Sequence, residues 1–153
     1  MKMNPHFLFN TLQNISVLAV QEPHSAILML TRLGDLLRAS FRKDSQQEIP
    51  LEAEIALTQA YLDIERVRFR DRLSVLVDIE PGTEGALVPT FLLQPLAENA
   101  IKHGLRVSNI CGRIEIRGVL DGGRLVLTVA DNGAGISTTS LQKLQMGGIG
   151  CTF

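Results

Sequence analysis

The chain is poor in three things, and each shortage narrows what it can be. Cysteine occurs twice in 153 residues, at Cys111 and Cys151, with no CxxC or CxxH spacing around either. That pattern argues against a disulfide framework and a thiolate zinc site, and two free thiols fit a reducing, cytoplasmic compartment. Net charge is also scarce, at a formal −1. No global basic field draws the chain to nucleic acid or to an anionic membrane, so any anionic ligand must be held by local groups. Long apolar runs are missing too. No stretch approaches the roughly 18 residues that span a bilayer. The start, Met1-Lys2-Met3-Asn4, lacks the apolar run of a signal peptide. A GxxxxGK(S/T) phosphate loop is likewise absent.

What is present is a globular composition, 45% apolar and 20% charged, enough to bury a sizeable core. The length suits one domain, or a short helical module followed by one compact domain. No internal repeat or low-complexity tract occurs.

Two styles of sequence meet near residue 72. The first is helical. Asn4 suits a cap and Pro5 a first turn. Apolar positions follow at Phe7, Leu8, Leu12, Ile15 and Leu18, and the Glu22-Pro23-His24 break ends the run. A second helix is expected from about Ser25, with Ile27, Leu30, Leu33, Leu37 and Phe41 on one stripe. Arg42 to Glu48 reads as a loop. Pro50 opens a third helix with Leu51, Ile55, Leu62 and Phe69 on one side.

Beyond residue 72 the period changes. Leu73, Val75, Val77 and Ile79 alternate with other residues as in a strand, and Pro81-Gly82 is a turn. A helix is expected within Thr90 to His103. Arg113 to Val119 is a second strand, Asp121-Gly122-Gly123 a hairpin turn, and Leu125 to Val129 the returning strand. Glycine-rich loops then flank a short helical patch at Thr138 to Leu144. Helices followed by mixed elements imply an α+β fold. An antiparallel hairpin of two helices cannot bury two broad apolar stripes alone, so pairing with a second copy into a four-helix bundle is expected.

Four segments carry residues able to do chemistry. Leu92 to Gly104 includes Asn99, Lys102 and His103, which helical geometry puts on one face, while Leu92, Leu96 and Ala100 form an apolar stripe. An amide oxygen, an ammonium and an imidazole converging there make a plausible site for phosphate and Mg²⁺; the plain alternative is a solvated polar face. Pro95 fits poorly in mid-helix, so regular helix should begin near it. In Asp131-Asn132-Gly133-Ala134-Gly135-Ile136, a carboxylate at a strand end can accept a hydrogen bond from an exocyclic amine such as adenine's. Its glycines allow close backbone approach; an ordinary Asn-Gly turn is the alternative. Gly147-Gly148-Ile149-Gly150 offers free N–H groups for phosphates, although isolated glycine pairs carry little weight. In Asn4-Pro5-His6-Phe7-Leu8-Phe9-Asn10, His6 and Asn10 share a face, and a ring nitrogen of His6 could be a phosphoryl nucleophile or merely a helix-start histidine. His24 reads as an exposed turn residue. Arg66, Arg68, Arg70 and Arg72 read mostly as a solvated face, with some pairing to Asp63, Glu65 or Asp71 at a domain junction.

Taken in order and spacing, these segments resemble the LytS-type branch of sensor histidine kinases. The N-P-H-F-L-F-N segment stands at Asn4 to Asn10. Leu51-Glu52 and then Tyr61-Leu62-Asp63-Ile64-Glu65-Arg66-Val67-Arg68-Phe69 match the family's next helix. L-Q-P-L-x-E-N-A-I-K-H-G stands at Leu93 to Gly104, and D-N-G-x-G at Asp131 to Gly135. The resemblance implies dimerisation and phosphoacceptor helices over 1–46 and a Bergerat-type ATP-binding sandwich with a mixed sheet over 47–153. His6 would be the phosphoacceptor, with Asn10 orienting its ring because no acidic residue follows it. Asn99 would ligate Mg²⁺, and Lys102 and His103 would lie near the phosphates of ATP. Asp131 would bond the adenine amine, with Gly133 and Gly135 shaping that box and Gly148 and Gly150 in the lid.

Partners implied are a second copy, through the N-terminal helices, and a response regulator whose aspartate takes the phosphoryl group. The parent protein would be membrane-anchored, this portion being cytoplasmic without membrane or nucleic-acid contact. The family continues past its G-I-G box with a leucine, an asparagine and further elements. Cys151-Thr152-Phe153 stand there instead, so an ATP domain incomplete at its C-terminus is expected. A catalytically inactive dimerisation and docking module, with a defective nucleotide site, is the rival reading. Another Bergerat ATPase is a third. Pro95 stands where such enzymes carry a hydrolytic carboxylate, four before Asn99, which counts against it.

Overall fold

The computed structural model describes residues 5–40, 48–104 and 111–133, with the side chains of 103 and 104 left aside. Helix α1 (Pro5–Gln21) and helix α2 (Pro23–Ser40) pack along each other across a single linking residue, Glu22. Glu22 belongs to both helices: its N–H donates to the Leu18 carbonyl at 2.7 Å, and its carbonyl accepts from Ala26 N–H at 3.1 Å. Pro23 has no N–H to lose, so α2 starts there rather than at Ser25.

The inward face of α2 is Ala26, Met29, Leu33 and Leu36. Of the expected stripe, Leu33 is buried and Leu37 packs against the core, but Ile27 and Leu30 face out, 62% and 56% exposed, and Phe41 lies outside the described residues. Both sides of α2 are apolar, so periodicity alone could not set its phase. On α1 the buried residues are Phe7, Thr11 and Leu18, whereas Leu12 is exposed. Thr11 can be buried because its hydroxyl donates to the Phe7 carbonyl at 2.8 Å.

Strand β1 (Glu48–Pro50) leads directly into helix α3 (Leu51–Phe69) and pairs antiparallel with strand β3 (Leu87–Pro89). Glu48, expected as the last residue of a loop, is thus in a strand, and the rest of that loop lies outside the described residues. The segment before β3 also serves α3: Leu51 N–H donates to Ala86 O at 2.8 Å and Glu52 N–H to Glu84 O at 3.0 Å, satisfying two of the four orphan donors of a helix start. Helix α3 buries the expected stripe and more. Leu51 and Leu62 are buried, and Ile55 and Phe69 pack at the margin of the core. Glu54, Thr58, Tyr61, Ile64 and Glu65 are buried as well, because α3 lies between α2 and the rest of the fold. Arg32 of α2 pairs with Asp63 of α3 at 3.1 Å.

A short 3-10 turn (Arg70–Arg72) leads to strand β2 (Leu73–Ile79), which runs parallel to strand β4 (Gly112–Asp121); helix α4 (Gln94–Gly104) lies on the crossover between them. Strand β5 (Arg124–Asp131) returns antiparallel to β4. The order β2-β4-β5 is a mixed sheet, as expected. The hairpin turns on Gly122 and Gly123, at φ 55° and 80°, the positive angles that a two-residue type I′ turn requires. At Gly118 in β4, an added Cβ would meet Ile79 Cδ1 at 3.0 Å and Leu127 Cδ2 at 3.1 Å, so a larger residue there would force the two side chains apart. One contiguous core runs from Phe7, Met29 and Leu36 in the hairpin, through Tyr61 and Ile64, to Leu93, Ile101, Ile114 and Ile116. No described helix is long and apolar enough to cross a membrane.

Candidate functional site

Helix α4 is set in place from its N-terminal side. The Glu54 carboxylate, 0% exposed on α3, accepts from Phe91 N–H at 2.8 Å and from Leu93 N–H at 2.9 Å. Phe91 has φ +60°, costly for a residue with a side chain, and the buried acceptor holds it there. Burial pushes the Glu54 carboxyl above its ordinary value, against the backbone bonds from Leu93, Phe91 and Leu92, which pull it down. The helix begins at Gln94, as Pro95 required. Its core side is Ala97, Ala100 and Ile101, continued by the buried Leu93 just before it. Of the expected stripe only Ala100 is buried; Leu92 precedes the helix and Leu96 points outward.

A neighbouring side of α4 faces a cleft of about 330 Å³, to which it contributes Glu98, Asn99 and Lys102, and Ile101 belongs to both. Helix α1 contributes His6, Phe7 and Asn10. Four of the residues expected to act thus meet across one space, although His6 and Asn99 are 93 positions apart. The amide nitrogen of Asn10 lies 3.1 Å from Nδ1 and 3.3 Å from Nε2 of His6, so it restrains the ring and donates to whichever nitrogen has the lone pair. Phe7 fixes α1 in register, its ring 5.0 Å from that of Tyr61.

The third wall was missed by sequence reasoning. Tyr61, Glu65, Arg68 and Phe69 of α3 line the same cleft. Glu65 is 2% exposed, and both of its carboxylate oxygens accept from Arg68 Nη1 at 3.3 Å. The Arg68 guanidinium also lies over the Phe69 ring, 4.9 Å from its centre. The signal was there: positions 61, 65 and 68 follow helical spacing and share a face, whereas the four alternating arginines drew the eye to a period of two. Arg66, Arg70 and Arg72 are exposed, and Arg70 pairs with Glu22 at 2.9 Å.

Asp131 and Gly133 lie at the end of β5 and are not among the residues lining this cleft. Asp131 Oδ1 accepts from Gly133 N–H at 2.8 Å, a turn closed by its own side chain. Asn132 ties the turn to the sheet by accepting from Arg113 N–H at 2.6 Å and donating to Cys111 O at 3.0 Å. Gly135, Gly148, Gly150 and the side chain of His103 lie outside the described residues.

Among the described residues no group of three or more His, Cys, Asp or Glu could hold a metal. Asn99 is exposed on the cleft wall. One amide oxygen completed by phosphate oxygens and water is a donor set that suits Mg²⁺, which keeps most of its water.

Comparison with known families agrees with this architecture. Residues 1–73 match the histidine kinase family model. Residues 88–150 match the model of histidine kinase-, DNA gyrase B- and HSP90-like ATPases. The chain belongs to the histidine kinases. Within them it is similar to the LytS sensors: it is 36% identical over 143 residues to the sensor protein LytS of Staphylococcus saprophyticus, covering 94% of this chain and 24% of that protein. It is 33% identical over 144 residues to the sensor histidine kinase YpdA of Escherichia coli, covering 94% and 25%. The chain thus spans about a quarter of the length of these relatives. The histidine kinase domain of the blue-light activated kinase of Erythrobacter litoralis EL346 aligns over 83% of this chain and 64% of its own. The identity is 22% and the TM-score 0.47, a likeness too distant to build on.

Proposed function

We propose that this chain is the kinase core of a two-component sensor, in which His6 takes the γ-phosphoryl group of ATP and passes it to an aspartate of a response regulator. The observation that carries the reading is the shared cleft: His6 and Asn10 on one side, Asn99 and Lys102 on the other. In this reading residues 1–46 hold the acceptor and the dimer contact, and 47–153 hold the nucleotide.

The chemistry asks little of the protein beyond placement and charge. A neutral imidazole attacks through its unprotonated nitrogen. The N–P bond forms as the bond from the γ-phosphorus to the β–γ bridging oxygen breaks, and that electron pair leaves with ADP. The proton on the other ring nitrogen stays where it is, so no strong base is needed. The amide of Asn10 keeps the ring from spinning and must let go of the lone pair as the attack begins. Lys102 offsets charge on the phosphates. Asn99 would hold Mg²⁺, which would supply charge neutralisation at the phosphates. Asp131 would receive the adenine amine, with Gly133 and Gly135 beside it. His103, Gly148 and Gly150 would complete the phosphate side.

A second copy completes the helical hairpin in this reading. Phe9, Val17 and Val20 on α1 and Ile27 and Leu30 on α2 are large, apolar and exposed, with Val20 at 85%. Their burial against a partner's hairpin is what makes a four-helix bundle.

The deciding experiment is incubation with γ-labelled ATP and Mg²⁺. Acid-labile, alkali-stable label is expected on the chain and none on His6→Gln. Label that persists in His6→Gln excludes His6 as acceptor, and no label without nucleotide binding leaves the docking module as the better reading.

A further inference from the structure

We propose that Arg68 grips the transferring γ-phosphoryl group in the His6 cleft, and that Glu65 positions it to do so. The inference rests on the reading of the cleft as a phosphoryl-transfer site, and adds to that site a cation and its support.

A phosphoryl group in transit spreads charge over three equatorial oxygens. Among the described residues the cleft offers two cations, Lys102 from α4 and Arg68 from α3, while the acceptor comes from α1. The two acids lining the same space are both engaged, Glu65 with Arg68 and Glu98 with Gln94 Nε2 at 3.0 Å. Of the two cations, only the guanidinium is a planar fork suited to two oxygens at once.

Arg68 is also restrained for an arginine partly open to solvent, at 28% side-chain exposure. Both carboxylate oxygens of Glu65, one helical turn earlier and almost wholly buried, accept from Nη1. The Phe69 ring supports the guanidinium. Holding one end of the fork leaves Nε–H and the Nη2 hydrogens as further donors of the five an arginine has. Orientation in advance is where such a group gains its catalytic value, because little is reorganised when charge develops. The competing account is that Arg68 serves only to neutralise a buried carboxylate.

The test uses the whole 153-residue chain. Four measurements are needed: the initial rate of label transfer to His6, the dissociation constants of ATP and of ADP, and thermal unfolding. Arg68→Gln is expected to slow transfer about 100-fold, in the range typical of losing one charge-stabilising donor. It should narrow the preference for ATP over ADP while ADP affinity stays within about threefold, since ADP lacks the oxygens in question. Arg68→Lys keeps the charge without the fork and should lose about tenfold.

The double variant Glu65→Gln/Arg68→Gln removes the buried charge together with its partner. It should regain thermal stability relative to Arg68→Gln and stay equally slow. A double variant that recovers the wild-type rate overturns the proposal in favour of neutralisation alone. A wild-type rate in Arg68→Gln overturns it too. If the wild-type chain takes no label at His6, the transfer reading fails and this assignment falls with it; label on the wild type with no effect at Arg68 removes the assignment alone.

Discussion

Helices α3 and α4 line the same cleft and are built in opposite ways. On α4 polarity points mostly outward: Asn99 and Lys102 are exposed, and beyond the buried Gln94 at its start the core side is apolar. On α3 polarity also points inward: Glu54, Thr58 and Glu65 are all buried. A buried carboxylate is destabilising unless its oxygens are bonded. Each buried acid on α3 therefore has a task. Glu54 joins α3 to the segment that launches α4, and Glu65 braces Arg68 of the same helix. Thr58 spends its hydroxyl on the Glu54 carbonyl at 2.9 Å. A helix that presents a site to solvent shows its purpose in its pattern, whereas a helix that holds other parts in place hides it.

The contrast can be broken by measurement. Its sharpest form is a pair of leucines. Leu62→Ala on α3, with the side chain fully buried, should cost about 2–5 kcal/mol in urea unfolding. Equal costs at Leu62 and at the outward Leu96 of α4 would erase the distinction. Next in size is Glu54→Gln, which keeps the shape but puts an amide N–H₂ where two backbone donors point. A loss of about 1–2 kcal/mol is expected, along with weaker nucleotide binding as the start of α4 loosens.

The same variant carries a pH signature. The folded state binds the Glu54 proton more tightly than the unfolded chain does, because burial raises the carboxyl above its ordinary 4.5. The stability this contributes is fully present below the unfolded value and is lost as pH rises through the folded one. The wild-type advantage over Glu54→Gln in unfolding free energy should therefore shrink from about pH 4 upward and then level off. An advantage that grows with pH would contradict the environment assigned to Glu54. Smallest of all, Leu96→Ala should stay within about 0.5 kcal/mol of wild type.

How much of this was legible in the sequence depends on whether a single pattern ruled each segment. The β4–β5 hairpin was plain, since alternation and a Gly-Gly turn agree. The facing of Asn99 and Lys102 was plain because α4 has one wet side. The phase of α2 was not, because leucines and isoleucines occupy two of its faces and only tertiary packing chooses between them. Strands β1 and β3 escaped because three residues carry no period. Arg68 escaped because its neighbours Arg66 and Arg70 are of the same type and face elsewhere. The meeting of α1 with α4 is a matter of tertiary packing, and no local spacing encodes it.

Phe7 and His6 are neighbours with opposite surroundings, one buried against Tyr61 and the other exposed in the cleft. On a helix they point about 100° apart. Any twist of α1 that carried His6 out of the cleft would also drag Phe7 from its socket. Burying such a ring is worth about 1.5–3 kcal/mol. In terms of populations, that biases the seated state of α1 by roughly ten- to a hundredfold. A benzene ring thereby acts as a detent for an imidazole: firm enough to keep His6 in the cleft, and weak enough for an input of a few kcal/mol to release it.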